Sequence, residues 1–356
     1  MNKIKILVVD DSFFMRKAIT KILTTDETEV IGTAINGKEG VEKALLLNPD
    51  VITMDIEMPV MNGLDAVSGI IAKKNIPILM LSTLTVEGAE ATVEALSRGA
   101  VDFVTKKAAF TEVASLADEI LAKIKAIISH KFSNKISKPF HYIEDRAGKQ
   151  EFKLAKPIAN KNKRPELSQM SLVVIGISTG GPAALNDFVP KLSPKIPVPI
   201  VVAQHMPPFF TKSLADRLNS HSKLQVKEIE DNDRLLPGNL YICPGGKQTL
   251  LHRSMRVALS EEPKDELFKP SVNVLLNSAI DSFHKNIVGI IMTGMGNDGS
   301  KALKRLSDIG GYVISQDIDS CVVAGMPKAV IDLNIANEIH PLSEMANAIN
   351  SLFSVR

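Results

Sequence analysis

The stretch Ile4–Ser12, IKILVVDDS, decides how the first half of the chain is read. A short apolar run, Ile4–Val9, ends abruptly in two aspartates, and the helix-like stretch Phe13–Leu23 follows at once. Apolar strands without polar alternation suit a parallel sheet covered on both faces. The same pattern recurs outward along the chain, with runs at Val30–Ala34, Val51–Met54, Ile76–Leu81 and Asp102–Thr105 and helical stretches such as Gly88–Arg98. Five such units over residues 1–128 predict a flavodoxin-like (βα)5 domain. Its ligand site is expected at the carboxyl ends of the strands.

Residues 129–168 break the rhythm. They are rich in Lys, Asn, Ser and Pro, and residues 131–164 hold ten Lys/Arg against three Asp/Glu, a local charge of +7. The whole chain of 356 residues is only +2, so the remainder sums to −5. We read 129–168 as an exposed basic linker. From Ser171 the alternation returns, with apolar runs at Leu172–Ile177, Val198–Ala203, Ile287–Met292 and Tyr312–Ser315. Residues 169–356 are therefore a second α/β domain, doubly wound and mainly parallel. The β-rich stretch Leu224–Leu259, with its Pro-Gly and Gly-Gly turns, is expected to form a hairpin insertion.

Composition excludes several function classes. A near-neutral chain whose basic residues lie in an unpatterned, proline-containing segment does not predict a nucleic-acid reader. No apolar run approaches the roughly 20 residues needed to span a bilayer. Two distant cysteines, Cys243 and Cys321, fit no metal-ligand spacing. They suggest a reducing, cytoplasmic location.

Two constellations carry chemistry. In the first domain Asp10 and Asp11 end strand one, Asp55 ends strand three and Lys106 ends strand five. Alone, each aspartate reads as a helix cap or loop residue. Together at one sheet edge, three carboxylates repel one another unless a cation sits among them. Hard oxygen ligands with open positions suit Mg²⁺, and a lysine supplies a point charge for a phosphate. The set describes phosphoryl transfer to a carboxylate.

With VVDDS (Val8–Ser12), MDIEMPVMNGLD (Met54–Asp65), LST (Leu81–Thr83) and GAVDFVTK (Gly99–Lys106), the segment resembles the receiver domain of bacterial response regulators. The resemblance implies Asp55 as the phosphoryl acceptor. It implies Mg²⁺ held by Asp10, Asp11, Asp55 and the Glu57 carbonyl. Ser82 and Lys106 would contact the phosphoryl group and, with Phe103, form the switch. One position departs: Lys107 stands where receivers usually have proline.

The second constellation is Ser, His and Asp. GISTGG (Gly176–Gly181) places Ser178 on a glycine-flanked turn after an apolar strand, ahead of a helix that Pro182 can start. QHMPP (Gln204–Pro208) places His205 at the end of the next run, and TGMGNDG (Thr293–Gly299) places Asp298 after a third. A histidine takes the proton that makes serine a nucleophile, and an aspartate orients the histidine. The order Ser…His…Asp is not that of ordinary α/β-hydrolases.

These motifs, with YICPGG (Tyr241–Gly246), PSVNVLLNSA (Pro270–Ala279) and SCVVAGMP (Ser320–Pro327), look like the catalytic domain of the chemotaxis protein-glutamate methylesterases, the CheB family. The resemblance implies attack by Ser178 on a receptor glutamate methyl ester, with His205 as general base. Asp298 would orient His205, the Met295 N–H would serve as oxyanion donor, and no cofactor would be needed. Glutamine deamidation is implied at the same site. The implied partners are methyl-accepting chemotaxis receptors as substrate and the chemotaxis histidine kinase as phosphoryl donor. No membrane insertion is expected, and the unphosphorylated receiver is expected to cover the cleft. Ile177 and Asn273 replace the usual Ala and Asp.

Overall fold

The computed structural model describes residues 3–106, 113–133 and 169–353. Lys107 and most of the expected linker lie outside them. The first domain alternates β1 (Ile4–Val9), α1 (Phe13–Ile22), β2 (Thr28–Ala34), α2 (Gly37–Leu47), β3 (Val51–Asp55), α3 (Gly63–Ile71), β4 (Ile78–Thr83), α4 (Val86–Ser97), β5 (Asp102–Lys106) and α5 (Val113–Ser133). The strands form one parallel sheet in the order β2-β1-β3-β4-β5. The helices start where short polar side chains cap them: Ser12, Asn36, Asn62 and Thr85 each accept an N–H from the first turn. The expected domain boundary at 128 falls inside α5, which continues to Ser133.

The second domain contains β6 (Leu172–Ile177), α6 (Gly181–Phe188), β7 (Ile200–Gln204), α7 (Phe210–His221), β8 (Gln225–Glu228), β9 (Asn239–Ile242), β10 (Gln248–Leu251), β11 (Val257–Ser260), α8 (Val272–Phe283), β12 (Ile287–Ile291), α9 (Ser300–Asp308), β13 (Tyr312–Gln316), α10 (Gly325–Asp332), β14 (Glu338–His340) and α11 (Leu342–Leu352). Its main sheet is wholly parallel, in the order β14-β13-β12-β6-β7-β9-β8. The hairpin expected over Leu224–Leu259 is real only for β10 and β11, which pair antiparallel. β8 and β9 instead extend the parallel sheet beside β7. Turn residues mark where a chain reverses, but not whether the following strand pairs with its predecessor or crosses over.

Burial explains the unbroken apolar runs. Every residue of β3, β6, β7, β12 and β13 is buried. Helix α4 of the first domain lies on α6 and α7 of the second. The Phe103 and Phe210 rings stack across this seam, and Arg217 of α7 pairs with Glu94 of α4. The seam thus meets the two helices that leave the nucleophile turn and the histidine loop.

Candidate active site and phosphoacceptor site

Strands β12, β6 and β7 are neighbours, which brings the three expected triad residues to one sheet edge. Ile177 is in register with Gln204, and the His205 N–H donates to the Ile177 carbonyl at 3.1 Å, so Ser178 and His205 leave adjacent strands side by side. The turn that holds Ser178 is built from close approaches. Gly180 has φ +76°, and a Cβ there would come within 2.6 Å of Val322. A Cβ on Gly294 would lie 2.8 Å from the Ser178 Cβ and 2.3 Å from the Met326 Sδ. The Ser178 N–H donates to the Thr293 carbonyl at 3.0 Å.

Asp298 is buried and its Oδ2 sits 2.9 Å from His205 Nε2. Four further donors surround the carboxylate: the N–H groups of Val272 (2.7 Å), Asn273 (3.0 Å) and Gly299 (2.8 Å), and the Ser271 hydroxyl (3.2 Å). Two of these are the first N–H groups of α8, where the helix dipole favours an anion. Burial pushes the Asp298 carboxyl up, but the His205 contact and the α8 N–H groups outweigh it and hold it below the ordinary carboxylate range. Asp298 is therefore a fixed anion on one edge of the ring.

With Nε2 committed to Asp298, Nδ1 is the remaining ring nitrogen. It is buried and has no hydrogen-bond partner among the described residues. The Ser178 hydroxyl is thus not bonded to it in this state, and such contacts tighten when substrate is seated. Met295 is on the loop before Asp298 with its side chain part exposed, and its N–H makes no hydrogen bond among the described residues.

Three contributors had no role assigned from sequence. Gln204 is buried, and its amide donates to the carbonyls of both Ser178 (3.0 Å) and His205 (3.2 Å), tying the two turns together. Ser271 caps α8 and also donates to Asp298. Phe268 stacks on the His205 ring. A serine opening a helical run is a legible cap signal, whereas nothing in the sequence marks Phe268. Both positions where the resemblance expects another residue are packed into the fold. Ile177 is fully buried, and the Asn273 Oδ1 accepts the Ala302 N–H of α9 at 3.1 Å, an acceptor role an aspartate would also fill.

At the other sheet edge, oxygens of Asp10, Asp11 and Asp55 lie within 4.8 Å of one another. Lys106 Nζ reaches Asp10 at 3.0 Å and Asp55 at 2.8 Å. Burial raises the Asp55 carboxyl above its ordinary value even though Lys106 pulls it down. Burial lowers the Lys106 ammonium, but Asp55 and Asp10 more than restore it. Gly63 lets α3 start against this site, since a Cβ there would lie 2.1 Å from the Asp55 carbonyl. Glu57 is exposed on the loop after β3. Ser82 is buried with its hydroxyl turned to α4: it donates to the Gly88 carbonyl at 3.1 Å and accepts from Thr92 at 2.6 Å. Phe103 is buried in the domain seam.

The chain is similar to known proteins over nearly its whole length. A family model described as CheB methylesterase matches residues 173–349, and one described as response regulator receiver domain matches residues 6–118. A protein-glutamate methylesterase/protein-glutamine glutaminase of Archaeoglobus fulgidus is 43% identical over 99% of both chains. A protein of the same name from Lawsonia intracellularis is 41% identical over 98% of both. Among solved structures, the Thermotoga maritima CheB methylesterase catalytic domain is 41% identical, with a TM-score of 0.49 over 51% of this chain and 98% of that one.

Proposed function

This chain belongs to the CheB methylesterase family, with a response regulator receiver domain ahead of its catalytic domain, and from that premise we propose a phosphorylation-activated protein-glutamate methylesterase. The observation that carries the chemistry is the 2.9 Å contact between His205 Nε2 and a buried, multiply hydrogen-bonded Asp298, beside the turn that holds Ser178.

The steps follow from these atoms. Ser178 Oγ attacks the carbonyl of a γ-methyl glutamate while its proton moves to His205 Nδ1. The imidazolium is stabilised by the Asp298 anion on its other edge. The Met295 N–H faces the tetrahedral oxyanion, and one such donor is typically worth about 3 kcal/mol of barrier. His205 returns the proton to the departing methoxide, which leaves as methanol. Water, deprotonated by the same nitrogen, then cleaves the acyl-enzyme to glutamate. A glutamine amide would follow the same course and release ammonia. The substrates are methyl-accepting chemotaxis receptors, and this residue set needs no cofactor for hydrolysis.

The receiver supplies the switch. Asp55 accepts a phosphoryl group from the chemotaxis histidine kinase. Three carboxylates against one ammonium leave an excess of negative charge that suits a hard divalent cation. Asp10, Asp11, Asp55 and the Glu57 carbonyl would hold Mg²⁺, which when bound screens the phosphoryl oxygens. The Ser82 hydroxyl would turn from Gly88 toward the new phosphoryl group, and that motion acts on α4, the helix resting on α6 and α7. Residues 1–128 act as the regulatory domain, 129–168 as the tether and 169–356 as the enzyme. The two buried free thiols accord with work in the cytoplasm.

Methanol release from methylated receptor membranes tests the enzymatic reading. Wild type should release methanol and Ser178→Ala should fall to background; equal release by both would refute it.

A further inference from the structure

Two ring edges and two ring faces decide what a catalytic imidazole can do, and the triad accounts only for the edges. The Phe268 ring covers one face of His205, with centroids 4.1 Å apart and planes 8° from parallel. We propose that Phe268 is a positioning residue for His205: it fixes the plane of the ring so that Nδ1 stays on the Ser178 side.

The ring otherwise has few constraints. Nε2 makes one hydrogen bond, to Asp298, and Nδ1 makes none among the described residues. The ring is tethered at Cγ and bonded at Nε2, so it can still swing about the line between them, and that swing displaces Nδ1, which lies off that line. A parallel phenyl face removes this freedom at small entropic cost, because Phe has only two rotatable bonds. The same face receives the imidazolium that forms when Ser178 gives up its proton, and a cation over a phenyl ring is attracted to it.

Phe268 is itself held firmly. Gln248, the first residue of β10, is fully buried and clamps the loop from both sides. Its Nε2 donates to the Phe268 carbonyl at 2.8 Å and its Oε1 accepts the Ser271 N–H at 2.8 Å. The Gly246 N–H donates to the Lys269 carbonyl at 3.0 Å. Ser271 then caps α8, whose first N–H groups hold Asp298. Residues 268–273 therefore carry both the stacking face for His205 and the seat for its anion. The β10–β11 insertion gains a role: it rigidifies the segment that presets the general base, as a supporting shell must.

The proposal rests on the esterase reading for its kinetic arm but not for its spectroscopic one. In the full chain, activated with acetyl phosphate and Mg²⁺, Phe268→Leu should lower kcat roughly tenfold, as small misplacements of catalytic groups do, with little change in KM. Phe268→Tyr, which keeps the ring face, should restore most of the loss. Two-bond ¹H–¹⁵N spectra read the imidazole directly. Wild type and Phe268→Tyr should show one sharp set of His205 signals with Nε2 protonated, and Phe268→Leu should show those signals broadened by exchange between ring orientations. The idea is overturned if Phe268→Leu keeps wild-type kcat and sharp His205 signals, or if Phe268→Tyr is as impaired as Phe268→Leu. A wild type that releases no methanol would sink the esterase reading instead, and the spectra would still decide this one.

Discussion

Phe103 of β5 and Phe210 of α7 stack face to face, with centroids 4.5 Å apart and planes 6° from parallel. Phe103 stands three residues before Lys106, which grips Asp55, and Phe210 stands five residues after His205. Both rings belong to one apolar cluster that spans the two domains, and such a pair adds about 0.5–1.5 kcal/mol beyond its buried area. A change at Asp55 therefore has a short, packed route to the edge of the esterase cleft.

The same seam carries Arg217, which pairs with Glu94 while Glu94 also holds Arg98, and these contacts keep the Glu94 carboxyl below its ordinary range. Both side chains of the Arg217–Glu94 pair are about a third exposed, so the bridge is worth at most about 1 kcal/mol. Arg217→Ala should accordingly raise methanol release by the unphosphorylated chain by up to about fivefold, measured against wild type at equal protein concentration. The phosphorylated rate should hardly change.

Gly294 packs on Ser178, the proposed nucleophile. Gly294→Ala would push a methyl group to within 2.8 Å of the Ser178 Cβ, with Met326 blocking the other side. The expected outcome is a loss of about 10²-fold in kcat with an intact far-ultraviolet circular dichroism spectrum.

Asp298 and Asp55 have carboxyls shifted in opposite directions, and the stability consequences differ in sign. Asp298 lies below its unfolded value of about 3.9, so its contribution to stability is present above that pH and lost as pH falls through the folded value. Acid titration of unfolding should show a steeper loss below about pH 4 for wild type than for Asp298→Asn. The variant's kcat should drop about 10⁴-fold, the usual cost of that change in a triad.

Asp55 is raised, chiefly by burial, so it binds its proton more tightly folded than unfolded. Its favourable contribution is complete below the unfolded value and disappears as pH rises through the folded one. At neutral pH the buried charge is a cost, only partly offset by Lys106. Asp55→Asn should therefore raise Tm by a few degrees at pH 7, read by calorimetry, and the gain should shrink as pH falls.

Much of this was legible in the sequence because it depends on local pattern. Strand ends carry Asp10, Asp55, Ser178 and His205, and the apolar runs that precede them survive in the structure with shifts of a residue or two. What was illegible depends on how distant segments meet. No spacing rule says that Nε2 rather than Nδ1 of His205 faces Asp298, because that follows from where α8 begins. Nor does any local signal place Phe268, which reaches His205 from a loop 63 residues away in sequence. β9 joined the parallel sheet on β7, which is remote from the turns that suggested a hairpin, and β8 then paired with β9.

The central claim is that phosphorylating Asp55 releases the Ser178 chemistry. Methanol release from methylated receptor membranes, followed with and without acetyl phosphate and Mg²⁺, tests it most directly. Wild type should accelerate severalfold on addition, and Asp55→Asn should stay at its basal rate. Equal rates in wild type with and without the phosphodonor, or an Asp55→Asn variant that accelerates as wild type does, would contradict the account.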